Sequence, residues 1–449
     1  MVSADNLNLD VLEHIFSFLS GNDLPSVALV SKSFLAAVIP RLYSSILYRV
    51  RQEKGYNTGD VMSPFAAIVA HPDLAVHVRN IEIRAVPTIK SRLNPIFAKE
   101  CCETIHMAKN LASFRCTVPG ILPLFLPFLE EKERLETLLV HANLKTDTAK
   151  MLAKLNRLQR LTLEFATWNV VDLLPSWSQN LSQTLTTLTL FMINELHEHV
   201  LESTLKELPS LQGLHVVGCP KIDHVVTMKQ VVHTPLLQSL SLTTSESTRA
   251  LDLPPPPLHH LRHLALDTRY NQSPSPSPTI LASLLTHIKT SFPSLQSFTL
   301  KLPERKVVIG EAFITQLVEQ FGSSLRRLAF LDCGISLESL TELCSACHNL
   351  ETLEISIPTK DLLLFSASIA HCKKLHTLVD AHNHVEHSTR KSFTSIDIGN
   401  LLVRCPSLRT IETSHRIWTG RVESAGDVTV KLERRLSHTH KELWFMPRE

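Results

Sequence analysis

A six-residue pattern, apolar-x-x-apolar-x-apolar, recurs along almost the whole chain and constrains the fold more than any other feature. Clear copies begin at Leu135 (LETLLV), Leu158 (LQRLTL), Leu185 (LTTLTL), Leu211 (LQGLHV), Leu237 (LQSLSL), Leu261 (LRHLAL), Leu295 (LQSFTL), Leu325 (LRRLAF) and Leu350 (LETLEI). Weaker copies begin at Val78 (VRNIEI), Leu111 (LASFRC), Leu375 (LHTLVD) and Leu408 (LRTIET). Successive starts lie 23 to 34 residues apart. The end of each copy alternates inward and outward side chains, as a short strand does. Between copies lie stretches such as DTAKMLAKLNR, SLESLTELCSACHN and DLLLFSASIAHCKK, with apolar residues at helical spacing. One such strand-helix unit cannot bury its own apolar face, so neighbours must stack.

The period and the L-x-x-L-x-L core resemble the leucine-rich repeat. That resemblance implies an α/β fold, a curved parallel sheet with outer helices, over residues 77–414. A small all-α unit (1–50) and a connecting segment (51–76) precede it. The stretch 415–449 no longer fits the period and reads as a cap over the last unit, which repeat arrays require. The longest interval contains NQSPSPSP, a Ser-Pro tract expected to be an exposed loop.

Composition narrows the function classes. The 449 residues are 44% apolar, enough for a large core, and 45 basic against 43 acidic residues leave a net charge of +2. That balance argues against a nucleic-acid groove or a polybasic membrane patch. The stretch MVSADNLNLD has neither a basic n-region nor an apolar h-region, so it does not read as a signal peptide. The run GILPLFLPFL is too short for a membrane span and contains Pro123 and Pro127. The expected setting is cytoplasm or nucleus, with thiols reduced.

Cysteine placement reads as architectural. Cys219 and Cys333 sit three residues past a strand core, while Cys347, Cys372 and Cys405 each lie three residues before a copy's first Leu. Buried free Cys behaves as a small hydrophobe, and this placement resembles the cysteine-containing leucine-rich repeats of ubiquitin-ligase receptors. Cys344 and Cys347 with His348 have a zinc-like C-x-x-C spacing, but no second pair accompanies them. The segment DAHNHVEHSTRK brings together Asp380, His382, His384 and His387 in a polar stretch that suits a solvated loop better than a metal site. No nucleophile elbow, P-loop, dinucleotide fingerprint or H-E-x-x-H occurs, and 12 glycines are few for phosphate cradles. No catalytic residue, metal site or cofactor is expected.

The first 45 or so residues stand outside the repeat and read as three short helices. In LNLDVLEHIFSFLSGNDLPSVALVSKSF the first helix is apolar on two stripes, through Leu12, Ile15 and Leu19 and through Val11, Ile15 and Phe18. Asn8 or Asn6 caps it, Asp23 caps the second helix, and Ser31 starts a third, which Pro40 disturbs. So small a unit cannot bury both stripes alone, which leaves apolar surface for the adjoining repeats or for another protein. The stretch resembles an F-box. Leu7, Leu12, Ile15, Phe16, Ser17, Leu19, Asp23, Leu24, Leu29, Val30 and Lys32 match its pattern, while Asn8, Ser31 and Phe34 stand where the family has Pro, Cys and Trp. The resemblance implies a non-catalytic substrate receptor that docks on the Skp-type adaptor of an SCF ubiquitin ligase, and through it on a cullin. Leu7, Leu12, Ile15, Leu19, Leu24, Val30 and Phe34 would form the adaptor-binding region. The other reading is a repeat-based interaction scaffold with a degenerate F-box and no ligase role.

The repeats would then hold a protein substrate, through the side chains between the core positions. Those outward positions include Thr162, Thr189, His215, Ser241, Ala265, Thr299, Ala329, Glu354, Val379 and Glu412, followed by Phe191, Asp267, Lys301, Leu331 and Asp380. The face is small and hydroxylated and turns acidic towards Glu354, Asp380 and Glu412, which predicts a cationic substrate segment. Phe191, His215, Asp267, Lys301, Leu331, Glu354, Asp380 and Glu412 are the candidate substrate-binding residues.

Overall fold

Every copy of the pattern begins its strand at its third residue, so the leucine spacing translates directly into sheet register. The computed structural model describes residues 8–19, 23–49, 63–245, 249–251, 256, 258–268, 278–291, 294–302, 308–381, 393–413, 416–422, 428–434 and 443–448. Residues 271–277 of the Ser-Pro tract and the histidines at 382, 384 and 387 lie outside the described residues, as does Leu7. The chain divides into two units, Met1–Leu208 and Pro209–Glu449.

The first unit opens with α1 (Leu9–Phe16), α2 (Asp23–Ala28) and α3 (Lys32–Leu42). Its parallel strands are β1 (Ser45–Tyr48), β2 (Asn80–Ile83), β3 (Ser113–Cys116), β4 (Thr137–His141), β5 (Arg160–Glu164) and β6 (Thr187–Phe191), paired in chain order. Strand β1 carries no copy of the repeat pattern. It forms because Ile46 and Tyr48 alternate inward, and Tyr48 meets Phe97 at 4.8 Å and Phe65 at 6.0 Å between ring centroids. Phe65 belongs to the helix Pro64–Ala70, inside the segment read as a connection.

The second unit continues with parallel strands β7 (Gly213–Val217), β8 (Ser239–Thr243), β9 (His263–Asp267), β10 (Ser297–Lys301), β11 (Arg327–Leu331), β12 (Thr352–Ile355), β13 (Thr377–Asp380) and β14 (Thr410–Glu412). Two antiparallel strands, β15 (Arg416–Val422) and β16 (Val428–Arg434), follow on the β14 edge. Trp418 stands opposite Ile411 there and is buried. The chain is closely approached at Gly420, where a Cβ would lie 2.3 Å from Leu402 Cδ1, displacing that side chain, and 3.1 Å from the Thr429 carbonyl oxygen.

Register places like on like. Leu214, Leu240, Leu264, Phe298, Leu328, Leu353, Leu378 and Ile411 follow one another across this unit, all buried. Helices such as Glu311–Phe321 and Leu337–Ala346 connect the strands and contribute Phe313, Leu317, Leu340 and Leu343 to the core. The residue after a strand turns into the left-handed region at Phe165 (φ 51°), Met192 (55°), Gly218 (70°) and Asp332 (59°). Only at Gly218 does that turn lack a Cβ penalty of about 1 kcal/mol.

The cysteines take structural places. Cys372 donates to the Cys344 carbonyl and Cys405 to the Ser366 carbonyl, each at 3.6 Å. Burial pushes the Cys333, Cys347 and Cys405 thiols up to about 12, and a hydrogen bond with Cys372 together with burial raises Cys344, so these groups stay protonated. Among the described residues no cluster of His, Cys, Asp or Glu is arranged to hold a metal, and no helix is long and apolar enough to cross a membrane.

Leu328 sits in the middle of the leucine ladder, so Leu328→Ala should destabilise the second unit by about 3 kcal/mol through lost burial and a residual cavity. Chemical denaturation of the full chain measures it. A loss under about 1 kcal/mol would mean that the ladder collapses around the hole.

Candidate protein-docking sites

The three N-terminal helices sort the first set of candidates by burial. Leu12, Phe16, Leu24, Ala37 and Val38 form a small core, with Leu19, Val27, Ala28, Phe34 and Leu42 packed against it. Phe34 meets Phe16 edge-on at 5.1 Å, so the phenyl ring that replaces tryptophan supports the core. Of the sequence candidates, Leu12 and Leu24 therefore face inward, Leu19 and Phe34 are partly buried, and Ile15 and Val30 point to solvent at 46% and 65% exposure. Residues absent from that set complete the outer surface: Leu9, Val11 and Leu35, with Phe18 78% and Leu29 88% exposed. Phe18 is edge-on to His14 at 5.5 Å. The doubled stripe was the signal for Val11 and Phe18. Leu29 sits in the turn after α2, where helical periodicity gives no guidance.

The departures from the F-box pattern are met locally. The Asn8 backbone carbonyl accepts from Val11 N at 3.0 Å and Leu12 N at 3.2 Å, without a capping bond from its side chain. Ser31 caps α3, its hydroxyl accepting from Phe34 N at 3.2 Å. Pro40 falls in the last turn of α3, and the helix runs through it to Leu42. The helices are stitched to the sheet at once: the Ser44 carbonyl accepts from Arg79 N and Asn80 N, both at 2.9 Å.

Comparison with known families is decisive for one segment. Residues 5–39 match the F-box domain. No curated protein matches the chain. The F-box domain carries a role in binding the adaptor of SCF-type ubiquitin ligases, and F-box proteins are generally non-catalytic receptors.

The second set of candidates lies on the strand face, and that face differs from the expectation of an open surface. His215, Ser241, Ala265, Thr299, Ala329, Glu354 and Val379 are all buried, as are Asp267, Lys301, Leu331 and Asp380, whereas Glu412 is half-buried. Phe191, in the first unit, is half-buried against Phe165, which stacks on His141 at 5.2 Å between centroids. Part of the cover in the second unit is residues 443–448. Trp444 packs on Ala329, Leu331 and Ala381, with Lys301 Nζ 4.8 Å from its ring centroid, within cation–π range. Phe445 is buried with its ring 5.9 Å from that of His215. Arg448 Nη1 lies 3.2 Å from Glu354 Oε2, and Arg327 bonds the same oxygen.

The acidic character expected towards Glu354 is thus neutralised by the chain's own cations. Asp380 is engaged as well, accepting from Ile357 N at 3.2 Å. Sequence reasoning missed Arg327, Trp444, Phe445 and Arg448. The one available signal was LWFMPR, which sets two aromatics side by side in a chain with 6% aromatic residues.

A hydrogen-bond relay gives the face a defined polarity. The Ser241 hydroxyl donates to the Phe445 carbonyl at 2.9 Å, so it must accept from His215 Nδ1 at 2.7 Å. That places the His215 proton on Nδ1, while Nε2 is buried and has no hydrogen-bond partner among the described residues. Burial, with His263 nearby as a second cause, lowers His215 to about 3, and burial lowers His263 too.

Folding stability follows from these shifts. Below pH 6.5 the unfolded chain protonates His215 and the folded chain does not, so stability is complete above that value and falls as pH drops towards 3. The share from His215 has a limiting slope of about 1.4 kcal/mol per pH unit. Denaturation curves between pH 7 and 5 should flatten in His215→Leu, and an unchanged slope would refute a neutral, buried His215.

Proposed function

We propose that the chain is a substrate receptor of an SCF-type ubiquitin ligase. The observation that carries this reading is the F-box match over 5–39 combined with unburied apolar side chains on its helices, chiefly Ile15, Phe18, Leu29 and Val30. Isolated exposed apolar residues are ordinary, but several gathered on one three-helix unit suit a partner groove. On this reading α1–α3 dock on the Skp-type adaptor, which joins the chain to a cullin. Leu12, Leu24 and Phe34 then hold the helices in place rather than touching the adaptor.

The strand-helix region would be a leucine-rich-repeat array spanning the second and later strands, with the β15–β16 hairpin as its cap. The like-on-like leucine register and the buried Cys at fixed repeat positions support that assignment. Its strand face would hold the protein substrate, and the chain would contribute no chemistry of its own. Ubiquitin transfer would be accelerated by holding the target near a charged conjugating enzyme, which is catalysis by proximity. Cytoplasm and nucleus are the compartments in which such a receptor would work.

Co-expression capture with a Skp-type adaptor tests the reading. Wild type and Leu328→Ala should be retained, while Ile15→Asp combined with Leu29→Asp should lose capture at least tenfold and keep the wild-type melting temperature, because both positions are exposed. Wild-type chain that is folded and not captured would favour the scaffold alternative.

A further inference from the structure

Residues 443–448 lie on the strand face like a ligand in a groove. They are not a strand of the sheet, and their one described internal bond is a turn, Met446 N to the Leu443 carbonyl at 2.8 Å. Each contact has a separate seat. Trp444 packs against Ala329, Leu331 and Ala381, with Lys301 Nζ against its ring. The backbone carbonyl of Phe445 takes the one donor that Ser241 offers, and its ring lies beside His215. Arg448 presents two nitrogens to Glu354, at 3.2 Å to Oε2 and 3.5 Å to Oε1.

Two features mark this occupant as removable. Phe445 alone is fully buried, whereas Leu443, Trp444, Met446 and Pro447 are half-buried and Arg448 is exposed, so most of the segment sits at the surface. Its seats are also distributed over β7, β8, β10, β11 and β12 through side chains, which a peptide from another molecule could satisfy equally.

We propose that this face is a peptide-binding groove held shut by residues 443–448, and that its external partner is a protein segment bearing two adjacent aromatic residues followed, three positions later, by an arginine. In a ligase receptor that segment would be the recognition motif of the substrate, a step that rests on the receptor reading. The groove and its occupant do not. Tethering makes the internal segment a strong competitor, because a short linker gives an effective concentration in the millimolar range. An external peptide of micromolar intrinsic affinity is therefore suppressed at least tenfold in the intact chain.

The test uses a labelled peptide, KELWFMPRE, and fluorescence anisotropy without adaptor. The variant Trp444→Ala with Phe445→Ala should bind this peptide at least tenfold more tightly than wild type does. Adding Glu354→Lys to that variant should return binding to the weak level, and a peptide with glutamate in the arginine position should recover it. Equal affinity of wild type and the double variant would overturn the proposal, and so would failure of the double variant to fold, which would make the segment part of the core. Wild-type chain supplies an independent measurement: excess peptide should speed hydrogen exchange at residues 443–448 and nowhere else along the ladder, and unchanged exchange would refute displacement. Loss of adaptor capture would sink the receptor reading and leave these results untouched.

Discussion

Everything in the strand-helix region depends on parallel stacking in a register that sets leucine on leucine. A strand four or five residues long gains little alone, and its helix has nothing to bury against except the neighbouring unit. Leu240 between Leu214 and Leu264, or Leu328 between Phe298 and Leu353, is buried only because both neighbours exist. Such an array has two vulnerable ends. One is met by Tyr48, Phe65 and Phe97 around β1, the other by the β15–β16 hairpin with Trp418 over Ile411.

The same dependence explains which elements are legible in the sequence and which are not. Strand positions of the repeat are legible because burial acts on every leucine of the pattern, and a period of two survives in the residue order. Strand β1 is not, since Ile46 and Tyr48 are too few to declare a pattern and their covering rings are about 20 and 50 residues away. Within α1 both apolar stripes are visible, yet spacing alone does not say which is inward. Phe16 and Leu12 win the inner side because Phe34, Val38 and Leu24 are there to meet them, leaving Ile15 and Phe18 outside.

The strand face of the second unit is where local reasoning fails most, for a physical reason. Alternation gives only a direction, and a direction away from the core reads as solvent. What covers that direction is residues 443–448, some 200 positions from Ser241. Glu354 illustrates the consequence. A carboxylate this deeply buried is costly unless paired, and it is paired twice, with Arg327 from the neighbouring strand and Arg448 from the segment. The charge that the residue order shows at Glu354 is met inside the chain, by cations that the local pattern does not place there.

The polar seats divide affinity from specificity. Ser241 can give its single hydrogen only to an acceptor, because His215 has spent its own donor on the Ser241 oxygen and stays neutral under ordinary conditions. A donor of this kind takes any backbone carbonyl and so cannot distinguish one extended segment from another. Discrimination must come from the apolar seat on Ala329, Leu331 and Ala381, where a bulky aromatic makes contacts that a small side chain does not, and from Glu354, which leaves a buried charge with fewer partners whenever no cation arrives. Arg327 lies beside that carboxylate on the neighbouring strand, so Glu354 has one ion-pair partner that belongs to the sheet itself and a second that comes with the occupant.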